Sequence, residues 1–233
     1  VIFMEEKDLK SLNIRTDLVT DIIPNVKTNI IENIYEKDNI KVSNITLDKE
    51  SAKLIGKKKG IYTTIFFEDI TDKDNYNKVL NILIKELHKI ISKTSLKKDY
   101  TSLIIGLGNI KSTPDSLGPR VIENIIVTKH IYDYYKSLEK GYKITEAFAP
   151  GVKATTGIET SDIISSIIKL EKPDLLIVID ALASDSIDRV CKTIQITDAG
   201  INPGSGIGNE RKEISYETLN IPVIAIGVPM VVD

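Results

Sequence analysis

Two short apolar runs in the chain each lead to an aspartate. The first is Leu103–Leu107, followed by a turn-rich loop that contains Asp115, and the second is Leu175–Ile179, followed directly by Asp180. Apolar runs of this length, bounded by turn-forming residues, are typical of buried strands in a parallel sheet. Because open α/β sheets bind their ligands beyond the carboxyl ends of such strands, both aspartates are candidates for acid–base chemistry.

The rest of the pattern predicts an α/β fold in a single domain. Alternating and β-branched runs indicate strands in the first third of the chain, followed by an amphipathic helix. From residue 102 onwards strands and helices alternate, which favours a mostly parallel twisted sheet with helices on both faces. The predicted strands are 41–46, 61–67, 102–107, 144–148, 174–180, 190–196 and 222–228, and the predicted helices are 75–92, 117–138 and 159–170.

Composition narrows the class of protein. The 233 residues are 42% hydrophobic, enough for a sizeable core, and the net charge of -2 gives no reason to expect a nucleic-acid or membrane partner. No apolar run is long enough to span a bilayer, and the first residues do not resemble a signal peptide. The chain stops directly after an apolar strand, so we expect the natural protein to continue beyond Asp233.

Two local features are interpreted as ordinary structure. Cys191 is the single cysteine, which excludes an intrachain disulfide and indicates a reducing, intracellular setting. Its place in the predicted strand 190–196 favours a buried, inert thiol. The run Lys57–Gly60 is interpreted as a solvated charged turn rather than as a nucleic-acid patch.

The two aspartates admit both a structural and a catalytic interpretation. Asp115 or Ser116 could cap the predicted helix that follows, and a lone aspartate at the end of a strand, such as Asp180, is often structural. Two close carboxylates, however, do not both ionise at low cost, so one of them keeps its proton. The ionised group can then take a proton from water, while the neutral one donates to a carbonyl or a leaving amine.

Other catalytic patterns are incomplete. His88 and His130 lie in predicted helices with no HExxH motif and no nearby cysteine, so neither predicts a metal site. Ser205 lacks a nucleophile elbow and obvious triad partners. The run Gly106–Gly108 lacks the third glycine of a dinucleotide fingerprint, and the Gly204–Gly208 loop has no strand–helix context for binding phosphate. No cofactor and no metal are expected.

Longer motifs give the chain a specific resemblance. The motifs that carry it are Ile14–Leu18, Gly106–Asn109 with Thr113–Pro119, Ala149–Val152 with Thr156–Thr160, Asp180–Ala183, Pro203–Ile214 and Ile221–Pro229. With these motifs the chain, from about Asn13 to Asp233, resembles the germination (spore) protease of spore-forming bacteria, the endopeptidase that degrades small acid-soluble spore proteins during germination.

The resemblance implies a fold, an assembly and a mechanism. The implied fold is a three-layer α/β/α arrangement with a mostly parallel sheet, hydrolase-like and shared with hydrogenase-maturation peptidases. The implied assembly is a homotetramer in the cytoplasm of the forespore or spore core, with small acid-soluble spore proteins as substrates. The implied mechanism is of an aspartic type with two essential aspartates, which the motif positions carry onto Asp115 and Asp180.

The resemblance also implies a self-processing zymogen. Such a precursor loses a short N-terminal propeptide, and the enzyme cuts between an acidic and an apolar residue. Arg15–Val19 has this form, so we expect self-cleavage between Asp17 and Leu18 at mildly acidic pH. The predicted division is a propeptide of residues 1–17 and a single α/β peptidase domain of residues 18–233.

Two rival interpretations remain open from the sequence. A metal-dependent maturation peptidase of the same fold would place carboxylates near Asp115 and Asp180 and add a histidine ligand. A catalytically silent assembly scaffold would use both aspartates as caps. A nucleotide-binding enzyme is a more distant alternative, because the glycine fingerprint is incomplete.

Overall fold

An eight-stranded sheet organises the part of the chain that the computed structural model describes, residues 16–25, 30–203 and 212–232. The strands are β1 Ile31–Lys37, β2 Ile40–Leu47, β3 Gly60–Phe66, β4 Thr101–Gly106, β5 Ile144–Phe148, β6 Leu175–Ser184, β7 Thr193–Thr197 and β8 Val223–Val232. The helices are α1 Val19–Ile22, α2 Lys49–Leu54, α3 Lys73–Ile91, α4 Leu117–Ile122, α5 Lys129–Tyr135, α6 Lys153–Thr156, α7 Thr160–Glu171 and α8 Tyr216–Leu219.

The sheet is mixed. Its strand order is β1-β2-β3-β7-β8-β6-β4-β5. Strands β8, β6, β4 and β5 run parallel to one another, whereas the pairings β1–β2, β2–β3, β3–β7 and β7–β8 are antiparallel. The predicted α/β class is therefore confirmed, but the mostly parallel sheet is not found. The likeness to hydrogenase-maturation peptidases and the three-layer description stay predictions.

Successive residues of the central strands send their side chains to opposite faces, and each face carries a long helix. Leu175 lies in a buried cluster with Val79 and Ile82 of α3, while the adjacent Leu176 lies in a second cluster with Ile164 of α7. Strands buried on both sides read as nearly continuous apolar runs, which is why β6 is visible in the sequence. Among the described residues, no helix is both long enough and apolar enough to cross a bilayer.

The predicted helix 117–138 is wrong, because two short helices replace it. Helix α4 ends at Ile122 and α5 begins at Lys129. Between them Thr128 is tied to the neighbouring strand: its backbone N donates to the Thr145 O at 3.0 Å, and its Oγ1 accepts from the Thr145 N at 2.9 Å. Consecutive β-branched residues before Thr128 favour leaving the helix.

The predicted environment of Cys191 is also wrong. Strand β7 begins only at Thr193, and Cys191 lies in the preceding turn with φ +57 and an exposed side chain. Its backbone N donates to the Pro229 O at 2.8 Å, which holds the turn against β8. The thiol is therefore not part of the core.

Candidate active site

Asp180 lies where β6 loses one of its neighbours. Strand β4 ends at Gly106, which pairs with Ile179, and the Leu107 N donates to the Ile179 O at 2.8 Å. The sequence predicted that this strand ends at Asp180. In the structure β6 continues to Ser184 alongside β8. Asp180 is only 7% exposed, and its Oδ1 accepts from the Ala181 N at 2.9 Å.

Asp115 comes from the loop that follows β4. It closes a short 3₁₀ turn, and both its Oδ2 and its backbone O accept from the Asn109 N, at 3.0 and 2.9 Å. This approach requires Gly108, which has φ +113: a Cβ there would lie 2.0 Å from the Asp115 O. Helix α4 has Ser116 at its N-cap, and the Ser116 side chain makes no capping bond there, so the capping role suggested for Ser116 is not what the structure shows.

The glycines near Asp115 have a packing role. A Cβ on Gly106 would lie 2.3 Å from the Gly118 O, and a Cβ on Gly118 would lie 2.2 Å from the Leu107 O and 2.6 Å from the Ile179 O. The start of α4 therefore lies directly on the carboxyl end of β4 and on the middle of β6, at Ile179. This contact brings the Asp115 loop to the cavity that Asp180, the next residue of β6, also lines.

A cavity of about 300 Å³ joins the predicted site residues. Asp115, Asp180 and Asp17 all line it, together with Gly151 and Thr160 from the segment after β5. The structure thus brings together the two predicted catalytic aspartates and the acidic residue of the predicted cleavage junction. Leu18, the other junction residue, is fully buried.

The junction is bound to the end of β6. The Asp17 N donates to the Ala183 O, and the Ala183 N donates to the Asp17 Oδ2, both at 2.9 Å. The acidic side chain thus takes the place that a main-chain carbonyl holds in an ordinary strand pair. Ala183 lies three residues beyond Asp180 on the same strand, which fixes the junction close to the cavity.

Two functional candidates were missed from the sequence. Lys57 is partly buried, and its Nζ donates to the Thr16 O at 2.9 Å. Burial lowers the pKa of Lys57, while the negative charges of Asp17 and Asp21 oppose that change. The interpretation of Lys57 as a solvated turn residue was therefore wrong. Gln195 of β7 is the second candidate, and it contacts the junction directly.

Gln195 and Lys57 line a smaller cavity, which shares Asp17 with the larger one. This cavity has a volume of about 130 Å³, and Asp17 and Leu182 line both spaces. The sequence gives no sign that Lys57 is partly buried, because it stands first in a run of three lysines. For Gln195 there was a sign: it is an amide in the middle of a short strand, and the strand's other two polar residues, Thr193 and Thr197, lie on the same face.

Asp21 anchors the junction from the following helix. It is buried, and its Oδ2 accepts from the Thr16 Oγ1 at 2.8 Å and from the Ser184 Oγ at 3.0 Å. The Arg189 Nε lies 3.6 Å from its Oδ1. Desolvation raises the pKa of the neighbouring Asp185, and the charge of Asp21 raises it further. These contacts tie residues on both sides of Asp17 to the end of β6.

The sequence candidates for a metal ligand or a serine nucleophile, His88, His130 and Ser205, are not among the described residues that line either cavity. His88 and His130 are exposed on α3 and α5, away from both cavities. Within the described ranges, no three histidine, cysteine or carboxylate side chains are grouped as a metal site. Ser205, the Gly204–Gly208 loop and most of the predicted propeptide, residues 1–15, lie outside the described residues.

Comparison with known proteins gives one consistent result. A family model described as germination protease matches residues 8–233. Curated proteins named germination protease are 52% identical over 202 residues in Bacillus licheniformis, 44% over 244 residues in Priestia megaterium and 44% over 241 residues in Bacillus subtilis. These alignments cover 85%, 98% and 98% of this chain, and 55%, 66% and 66% of the relatives. The chain therefore spans between about half and two thirds of the relatives' length.

Proposed function

The chain belongs to the germination protease family, and from this membership we propose that it carries the active site of an endopeptidase that acts in spore germination. We assign the acid–base chemistry to Asp115 and Asp180. The observation that supports this most strongly is the shared cavity, which Asp115, Asp180 and the junction residue Asp17 all line.

The proposed chemistry is hydrolysis of a peptide bond by water. The ionised carboxylate of the pair takes a proton from the water, whose oxygen forms a bond to the carbonyl carbon of the scissile peptide. The carbonyl oxygen gains the negative charge. When the C–N bond then breaks, the leaving nitrogen takes a proton from the neutral carboxyl group, and the products are a carboxylic acid and an amine.

The first substrate in this proposal is the chain's own Asp17–Leu18 bond. Asp17 is hydrogen-bonded to Ala183 through both its main chain and its side chain, and it lines the same cavity as the two aspartates. Cutting there would make residues 1–17 a propeptide. The acidic side chain before the bond would be recognised by the Ala183 N and by the charge of Lys57.

The family resemblance extends the proposal beyond the described residues. It makes small acid-soluble spore proteins the substrates, a homotetramer the assembly and the spore core the location. These three points rest on the resemblance.

Asparagine substitutions test the catalytic pair. Asp115→Asn and Asp180→Asn should each slow cleavage at Asp17–Leu18 by at least about a hundredfold, because an amide cannot exchange the proton. N-terminal sequencing and mass spectrometry after incubation at mildly acidic pH measure the cleavage. The control is Asp99→Asn, an exposed aspartate that does not line the cavity.

Two results would contradict the proposal. One is an intact Asp17–Leu18 junction in the unaltered chain. The other is unchanged cleavage in either aspartate variant. A loss of thermal stability in both variants, along with the loss of cleavage, would instead favour the scaffold interpretation.

A further inference from the structure

We propose that the side-chain amide of Gln195 is a third catalytic group, which binds the main chain across the Asp17–Leu18 bond and stabilises the negative charge that forms on the Asp17 carbonyl oxygen. This inference rests on the proposed self-cleavage and assigns a further residue to it. Gln195 was not among the predicted site residues.

The contact geometry supports this role. The Gln195 Nε2 donates to the Asp17 O at 3.2 Å, and the Gln195 Oε1 accepts from the Val19 N at 3.0 Å. The Asp17 O is the carbonyl oxygen of the predicted scissile bond. The single amide thus holds the main chain on both sides of Leu18, and one of its two contacts is to the atom on which charge develops.

Gln195 is a fixed donor. It is 6% exposed and lies in the middle of β7, which pairs with β3 on one side and β8 on the other. A donor that is held in place by a rigid element and shielded from water stabilises a developing charge without rearranging. An exposed glutamine on a loop would not have this property.

The position of Gln195 in the sheet also fits the proposed pair. Gln195 and Asp180 are both paired with Gly227 of the intervening β8, so the three residues form one row on one face of the sheet. Their backbones are therefore separated by two strand spacings, about 10 Å. Because Gly227 has no side chain, Leu182 lies over it, and Leu182 and Asp17 line both cavities.

In this arrangement the aspartates and Gln195 have different roles at the Asp17–Leu18 bond. The aspartates would approach the Asp17 carbonyl carbon with water from the larger cavity. Gln195 would donate to the Asp17 O from the side of the smaller cavity. Water addition and charge stabilisation are then assigned to groups that line different cavities.

Gln195→Met in the full chain tests the donor. Methionine has a similar length but no donor, so the first-order rate of self-cleavage should fall by about a hundredfold. The matched control is Thr193→Val on the same strand, since the buried Thr193 Oγ1 has no hydrogen-bond partner among the described residues. The control should cleave at the unaltered rate, and thermal denaturation should show both variants folded.

Gln195→Glu adds a second measurement, the pH dependence of the cleavage rate, which should not change if Gln195 has a purely structural role. A protonated carboxyl group keeps one donor and one acceptor, whereas the ionised form cannot donate to the Asp17 O. The ratio of this variant's cleavage rate to that of the unaltered chain should therefore fall as the pH rises. A ratio independent of pH would overturn the proposal even if Gln195→Met failed to fold.

The controls separate this inference from the proposed function. If the unaltered chain cleaves, Asp115→Asn and Asp180→Asn do not, and a folded Gln195→Met cleaves within about threefold of the unaltered rate, only the role of Gln195 is refuted. If the unaltered chain leaves the junction intact, the self-cleavage proposal itself fails.

Discussion

The raised pKa of Asp185 predicts a pH dependence of folding stability that calorimetry can measure. Its carboxyl group interacts with that of Asp21, and Arg189 is the cation that faces both groups. Desolvation and the charge of Asp21 raise the pKa of Asp185 above its ordinary value of 3.8. A carboxyl group with a raised pKa in the folded state contributes stability that is present below the unfolded pKa and is lost as the pH rises through the folded pKa.

Asp185→Asn should therefore change the pH profile of stability. Asparagine cannot ionise, so the variant should gain in melting temperature relative to the unaltered chain as the pH rises from about 4 towards 8. Calorimetry of both proteins across this range measures the difference, with Asp99→Asn as the control. A gain by the unaltered chain over the variant with rising pH would show that the sign is wrong.

At the scale of single residues, the sequence predicted two of the four groups that we propose for the site. Asp115 and Asp180 were predicted because each follows an apolar run, which is a local signal. Gln195 and Lys57 contact residues 16–19 across separations of up to 178 positions. Local patterns do not report which distant main-chain atom an amide or ammonium group reaches, so these two required the structure.

At the scale of elements, the contact of α4 with β4 decides where Asp115 lies. Gly118→Ala would place a Cβ within 2.6 Å of the backbone oxygens of Leu107 and Ile179, so the helix would have to move. Overpacking of this kind costs about 1–3 kcal/mol of stability. Self-cleavage should fall as well, because the Asp115 loop is attached to the helix.

Gly141→Ala is the comparison for that change. Gly141 has φ +102, but an added Cβ would meet no atom within 4 Å, so the substitution strains only its own backbone. It should lower the melting temperature slightly and leave the cleavage rate unchanged. Chemical denaturation and the cleavage assay separate the two effects, and full activity in Gly118→Ala would contradict the proposed function of the contact.

The direction of the strands was harder to predict than their positions. Two parallel strands of one sheet need a connection of about a dozen residues or more, usually with a helix. The chain between β6 and β7 has only the eight residues 185–192, so β7 turns back and joins β3 to the parallel strands. Strands β4 and β6 could be predicted from their apolar runs because both of their faces are buried. Such runs do not indicate which strands lie next to each other in the sheet.

At the scale of the whole molecule, the mechanism makes a prediction about metals. Two carboxylates and water account for the proposed hydrolysis, so self-cleavage should survive exhaustive chelation. The rate before and after chelation, and after adding back zinc or another transition metal, measures this. Loss of cleavage that is restored by the metal would favour the rival interpretation as a metal-dependent maturation peptidase.

The burial of Leu18 has a consequence for the direction of the reaction. Its side chain is fully buried, and its N lies 3.1 Å from the Thr16 Oγ1. Hydrolysis would turn this enclosed amide nitrogen into an ammonium group and the Asp17 carbonyl into a carboxylate. Unsolvated charges are costly in such a place, so the two new chain ends would separate towards water. Religation would require both ends to lose their hydration again, and self-cleavage would therefore act as a one-way step.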